Sequence, residues 1–137
     1  MRVATVCVML AVLLVGCDDD PVGPSDITEV TWMLETFQSA ALGAATPVQV
    51  SNPDLYTLKL GNDGRASVRA DCNTCTGPYT LDGSTLRMGP LACTLVGCPA
   101  GSLGTTYAQI LESRSSIEIT DTHLVIRNEV ATLRFRK

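Results

Sequence analysis

Four cysteines between positions 72 and 98 constrain this chain more than any other feature: Cys72, Cys75, Cys93 and Cys98. They form Cys-x2-Cys and Cys-x4-Cys. Between the pairs, Asp82-Gly83-Ser84 is flanked by two β-prone runs, 79–81 and 85–88. A turn there folds the chain back on itself, because Asp and Gly tolerate the backbone angles of a tight hairpin. The second pair then returns past the first in antiparallel sense, bringing Cys98 to Cys72 and Cys93 to Cys75. Two nested disulfides are the leading reading. Closing the outer loop stabilises by about 3–4 kcal/mol in the chain-entropy model. The inner bond adds less, since its loop is already confined. Two other readings stay open. Paired cysteines across a turn are also a zinc or copper pattern, although the second spacing is wide for it. Cys72 and Cys75 have the spacing of a redox pair, which requires a thiol at a helix N-terminus. Gly77-Pro78 makes strand and turn there instead.

The redox compartment bears on that choice, and the N-terminus speaks to it. Residues 1–17 read MRVATVCVMLAVLLVGC, one positive charge at Arg2 and then an apolar run to Val15. The run is short of the roughly 20 apolar residues a spanning helix needs, and it fits an export signal. Leu14-Val15-Gly16-Cys17 resembles the lipobox of bacterial lipoproteins, cut before the cysteine once its sulfur carries a diacylglycerol. Residues 1–16 are therefore expected to be a lipoprotein signal peptide and Cys17 a lipidated, palmitate-type anchor. A plain signal peptide with an incidental Cys17 is the alternative. Cys7 falls inside the leader. Two or more acyl chains hold a protein stably on a bilayer. Residues 17–27 form the acylated cysteine and a tether, too acidic and proline-rich to bury a core. The expected location is the bacterial cell envelope, exported and membrane-anchored, on the periplasmic face or the cell surface. Disulfides persist in such a compartment and free thiolates do not.

Residues 28–137 are long enough for one domain. Charged side chains make up 18% and aromatic ones 4%, so its core must be mainly aliphatic. The whole chain carries 14 Asp and Glu against 10 Lys and Arg; so weakly acidic a protein lacks the basic stripe of a nucleic-acid binder. Thr31 to Phe37 reads as a first strand with Trp32 and Leu34 on one face. Residues 39–52 read as a loop, with a short strand at 48–50 or a helix at 38–45 as options. Residues 55–60 alternate, Gly61-Asn62-Asp63-Gly64 turns, and 65–69 return with Arg65 and Arg69 on the solvent face. Leu103, Tyr107, Ile110 and Leu111 mark one face of a helix over about 102–113, with Ser102 as N-cap. Strands at 116–120, 123–127 and 130–136 finish the chain. The fold class is α+β and mostly antiparallel β: a small barrel or cracked-barrel meander with one helix laid across an open end.

No catalytic set emerges. His123 is the only histidine and sits far from the cysteines in sequence. Asp71, Asp82 and Asp121 lie beside turns, where Asp commonly bonds local backbone. No cofactor and no metal site is expected.

The ordered set Thr31-Trp32-Met33-Leu34, Tyr56-Thr57-Leu58, Asn62-Asp63-Gly64-Arg65, Asp71-Cys72-Asn73, Gly77-Pro78-Tyr79, Leu86, Leu91-Ala92, Thr94 and Cys98, continuing through Tyr107, Leu111 and Leu124, resembles the META/HslJ-like domain of bacterial envelope lipoproteins. The match spans about 28–136. The resemblance implies a compact barrel-like β fold with one helix. It implies a bond between Cys72 and Cys98, which match a cysteine pair found in many members, with Cys75 and Cys93 as an added pair. It supplies no enzymatic residues. The family is loosely linked with heat-shock response, antibiotic tolerance and virulence, and its fold is similar to that of a lipid-binding pilotin lipoprotein. The expected function is a non-enzymatic, membrane-anchored binding or envelope-stress module, with a protein or a small apolar ligand as partner. Three rivals remain. One is a carrier holding an acyl chain inside a cracked barrel. Another is a thiol–disulfide or metal protein using Cys72 and Cys75. The third is an inhibitor inserting a loop such as 39–53 into a partner enzyme.

Overall fold

The computed structural model describes residues 27–137. Its elements, in chain order, are β1 (Thr31–Ser39), β2 (Ala44–Gln49), β3 (Tyr56–Leu60), β4 (Arg65–Ala70), β5 (Asn73–Asp82), β6 (Thr85–Met88), β7 (Ala92–Cys93), α1 (Gly104–Leu111), β8 (Arg114–Ile119), β9 (His123–Arg127) and β10 (Thr132–Arg136). Strands β1, β3, β4, β5, β6, β8, β9 and β10 form a closed antiparallel barrel, because β10 pairs back onto β1. β2 extends one edge of β1, and β7 lies against β5.

Alternation decides which side chains enter. Tyr56, Leu58 and Leu60 of β3 and Ala66, Val68 and Ala70 of β4 point inward, while Arg65, Ser67 and Arg69 are exposed. The 61–64 turn joins these strands with Gly64 at φ 75°, a conformation that costs glycine nothing. An eight-stranded barrel is just wide enough for side chains to fill it or to hold one small ligand. Here Trp32, Leu58, Leu111, Leu124 and Phe135 are fully buried along the interior, with Tyr107 packed beside them. That filling leaves no lumen for an acyl chain among the described residues, which removes the physical basis of the carrier reading.

α1 closes one end of the barrel. Gly104 lies so close to β4 that a Cβ would come within 2.5 Å of the Ala70 carbonyl oxygen. Asn128 Nδ2 donates to the Ile110 carbonyl at 3.1 Å and ties the helix to the β9–β10 turn. The opposite end carries the first described residues. Ile27 is buried and its carbonyl accepts the Trp32 indole N–H at 3.0 Å, while Thr28 bridges Leu60.

Three local expectations change. The region 38–45 is not a helix: β1 runs on to Ser39, a single 3-10 turn spans Ala40–Leu42, and Gly43 reverses the chain at φ 72°. The strand expected at 48–50 is β2, longer and earlier. α1 is narrower than 102–113 and Ser102 is not its N-cap. The Leu103 N–H is taken by the Tyr56 hydroxyl at 3.2 Å, and Ser102 Oγ accepts from Gly104 N at 3.1 Å just outside the helix.

Tyr107 stacks edge-on against Tyr56, ring centres 5.7 Å apart, and its hydroxyl is buried with no hydrogen-bond partner among the described residues. A buried unpaired hydroxyl carries its full desolvation cost. Tyr107→Phe is therefore expected to raise stability by about 1 kcal/mol, read as a higher urea midpoint. Burial pushes the phenol well above its ordinary 10.0. The unfolded chain's phenol ionises first, so this group costs the fold further stability as pH rises above the ordinary 10.0 and costs nothing extra below it. The Phe variant should thus lose less stability than the parent between neutral and strongly alkaline pH.

Candidate functional site

The cysteines lie at the helix-capped end, where β4 turns into β5. Asp71, at φ 60°, and Cys72 make that turn. Asp71 Oδ2 accepts from the Tyr56 hydroxyl at 3.3 Å, whose oxygen also holds Leu103 N, so this acid is a structural tie. In β5, Cys75 points into the barrel and faces Cys93 of β7 directly across the ladder. Cys75 and Cys93 are disulfide-paired with Cα atoms 4.0 Å apart, and Cys72 and Cys98 with Cα atoms 5.5 Å apart. Cys72 and Cys75 therefore face different partners, which removes the geometry of a redox dithiol. Among the described residues no cluster of three or more His, Cys, Asp or Glu could hold a metal ion.

Between Cys93 and Cys98 the chain wraps around one side chain, Asn73. Its Oδ1 accepts from Thr94 Oγ1 at 2.8 Å and from Val96 N at 2.8 Å, and its Nδ2 donates to the Val96 carbonyl at 3.0 Å. Thr94 is held twice more: its N–H donates to the Thr74 carbonyl, and its Oγ1 accepts from Thr74 N, both at 3.0 Å. The residues on either side of Leu95 are thus fixed, and Leu95 itself stands 98% exposed with Val96 at 58%. A cleft of about 430 Å³ lies between this loop and α1, bordered by Ala70, Gly104, Ala108 and Glu112. Glu112 Oε1 accepts from Leu91 N at 2.6 Å and fixes the approach to β7.

The other candidates scatter. His123 lies on the outer wall, Nδ1 at 2.8 Å from Thr122 Oγ1 and Nε2 at 3.5 Å from Glu35, which also binds Arg134. Arg65 donates to Thr76 Oγ1 at 3.3 Å and Arg69 to the Asp71 carbonyl at 3.4 Å. At the far end, a polar cleft of about 480 Å³ is lined by Glu29, Lys59, Asn62, Asp63 and Arg65. There the Lys59 hydrogen bond, the Asn62 N–H and the Lys59 charge hold the Glu29 carboxyl below its ordinary value. Cys17 lies outside the described residues. Sequence reasoning passed over Asn73, Leu95 and Glu29 as functional groups. The Cys72-Asn73 dipeptide was the available signal for the first, and nothing local marked the other two.

A family model described as META domain matches residues 25–137. This chain is a member of the META domain family. No curated protein matches it. This META domain is similar in fold to a protein from Burkholderia xenovorans solved by NMR, at 22% identity and TM-score 0.64, over 99% of this chain and 97% of that one. It is also similar to the crystal structure of a lipocalin-like protein from Bacteroides uniformis, at 20% identity and TM-score 0.56, over 82% of this chain and 98% of that one. At such identities the likeness is one of fold. It agrees with the closed META barrel and helix α1.

Proposed function

We propose that this META domain is a non-enzymatic binding module, held at the bacterial envelope by a lipid on Cys17 and engaging its partner through its outer surface. The carrying observation is Leu14-Val15-Gly16-Cys17, a four-residue lipobox pattern followed at once by an acidic, proline-containing tether. Two or more acyl chains convert marginal membrane affinity into stable anchoring. Two disulfide pairs in so small a domain support export, since structural disulfides persist in oxidising compartments and are rare in reducing ones. The word lipocalin-like belongs to the Bacteroides protein. In this chain Trp32, Leu124 and Phe135 occupy the barrel interior, which favours the outer surface over the lumen as the binding face.

The test is fractionation with acyl labelling. The full chain is expected in the membrane fraction, carrying label and extracted by detergent. Cys17→Ala is expected unlabelled and in the soluble exported fraction. A Cys17→Ala protein that still partitions wholly with membranes sinks the anchoring.

A further inference from the structure

We propose that loop 94–97 is a substrate-like inhibitory loop, which presents Leu95 to an endopeptidase with an apolar primary-specificity pocket and offers the Leu95–Val96 bond in its cleft. A leucine 98% exposed is unusual only because of how its backbone is held. Lone exposed leucines on mobile loops need no explanation. This one is gripped on both sides by Asn73, through Thr94 Oγ1 before it and through both Val96 N and the Val96 carbonyl after it. Those bonds leave the N–H and C=O of Leu95 to an incoming strand. Residues 92–98 all have φ outside the left-handed region, so the backbone is free of the tight-turn conformations that a peptidase cleft rejects. A loop fixed in its bound shape avoids the ordering entropy that weakens flexible peptides. Protease–inhibitor pairs characteristically bind with little backbone movement.

The disulfides add what an ordinary substrate lacks. Hydrolysis of Leu95–Val96 would add one water, giving a carboxylate on Leu95 and an ammonium on Val96. Both new ends would remain in place, because Cys93 is tied to Cys75 and Cys98 to Cys72, one bond on each side of the cut. The ends can then condense back with release of that water, so cleavage does not disperse the product. Accessibility follows from topology. The loop sits at the helix-capped end, while Ile27, where the tether joins, lies beside the 61–64 turn at the other.

The test measures inhibition of chymotrypsin, subtilisin and trypsin by the purified full chain, using small chromogenic substrates. Chymotrypsin or subtilisin is expected to be inhibited with Ki at or below about 1 μM, and trypsin far more weakly. Leu95→Lys should move the preference to trypsin, and Leu95→Gly should lose at least about 100-fold. Leu95 is a solvent-exposed side chain, so an unchanged Tm confirms that both variants are folded. After reduction the loop should be cleaved at Leu95–Val96 and turned over. Four results overturn the proposal. They are no inhibition of either apolar-selective enzyme at about 100 μM, rapid turnover of the oxidised protein at that bond, selectivity that ignores Leu95→Lys, or self-association through Leu95 in place of inhibition. Cys17→Ala should inhibit as well as the parent, so loss of anchoring and loss of inhibition are read separately.

Discussion

The Cys72→Ser/Cys98→Ser double variant is expected to lose about 3 kcal/mol of stability, seen as a lower urea midpoint. The bond spans 26 positions, and freeing them enlarges the unfolded ensemble by the entropy of that loop. Removing Cys75–Cys93, which spans 18 positions inside the same loop, is expected to cost further but less than an independent bond would, because the two loop closures overlap. The inner pair also faces the core, so its serine variant adds the cost of a poorly packed polar group at a buried position. The local consequence is separable. Without Cys72–Cys98, loop 94–98 keeps the Asn73 bonds and the two Thr74–Thr94 bonds but loses its covalent tie at Cys98, and amide exchange at residues 95–98 should rise while β1 and β10 stay protected. Reductant should reproduce the double-serine midpoint. An unchanged midpoint on reduction would mean that the bond contributes nothing in solution.

What the sequence disclosed depended on how local the cause was. The hairpins at 61–64 and 82–84 were legible because Gly, Asn and Asp stand where the backbone needs them, and alternation in 56–60 and 65–70 then set the inward face. The helix showed through its Leu103, Tyr107, Ile110 and Leu111 stripe. Its start did not, because a tertiary contact, the Tyr56 hydroxyl on Leu103 N, replaced the local cap. Closure of the barrel joins Leu34 to Phe135, and no local pattern encodes a contact so distant in sequence. β2 is exposed along nearly its whole length, so it carries no hydrophobic period to read. The candidate site was half legible. The cysteines announced a frame, but Leu95 read as one more apolar residue until the Asn73 bonds showed that it is held outward. Glu29 sat at the edge of the tether, and only the fold brings it to Lys59 at 2.8 Å.

Trp32→Ala is expected to be the most damaging single substitution, costing about 3–5 kcal/mol. The indole is fully buried near the end of the barrel remote from α1, and its N–H donates to the Ile27 carbonyl. Truncation opens a cavity that the stiff barrel wall cannot collapse to fill, and it strands that carbonyl, adding about 1–3 kcal/mol if water does not reach it. A small domain has roughly 5–15 kcal/mol of stability in all, so the variant should be partly unfolded at physiological temperature. Trp32→Phe separates the two effects. It keeps most of the ring volume and loses only the hydrogen bond and a modest cavity, so its destabilisation should fall well below that of the alanine variant. In the Phe variant exchange should rise first at residues 27–30, where the segment leading in from the tether is fastened by the indole N–H and the Glu29 N–H to the Leu60 carbonyl. If Trp32→Ala melts within a few degrees of the parent, the barrel end is looser than its burial implies, and a small ligand could then share the interior that these side chains fill.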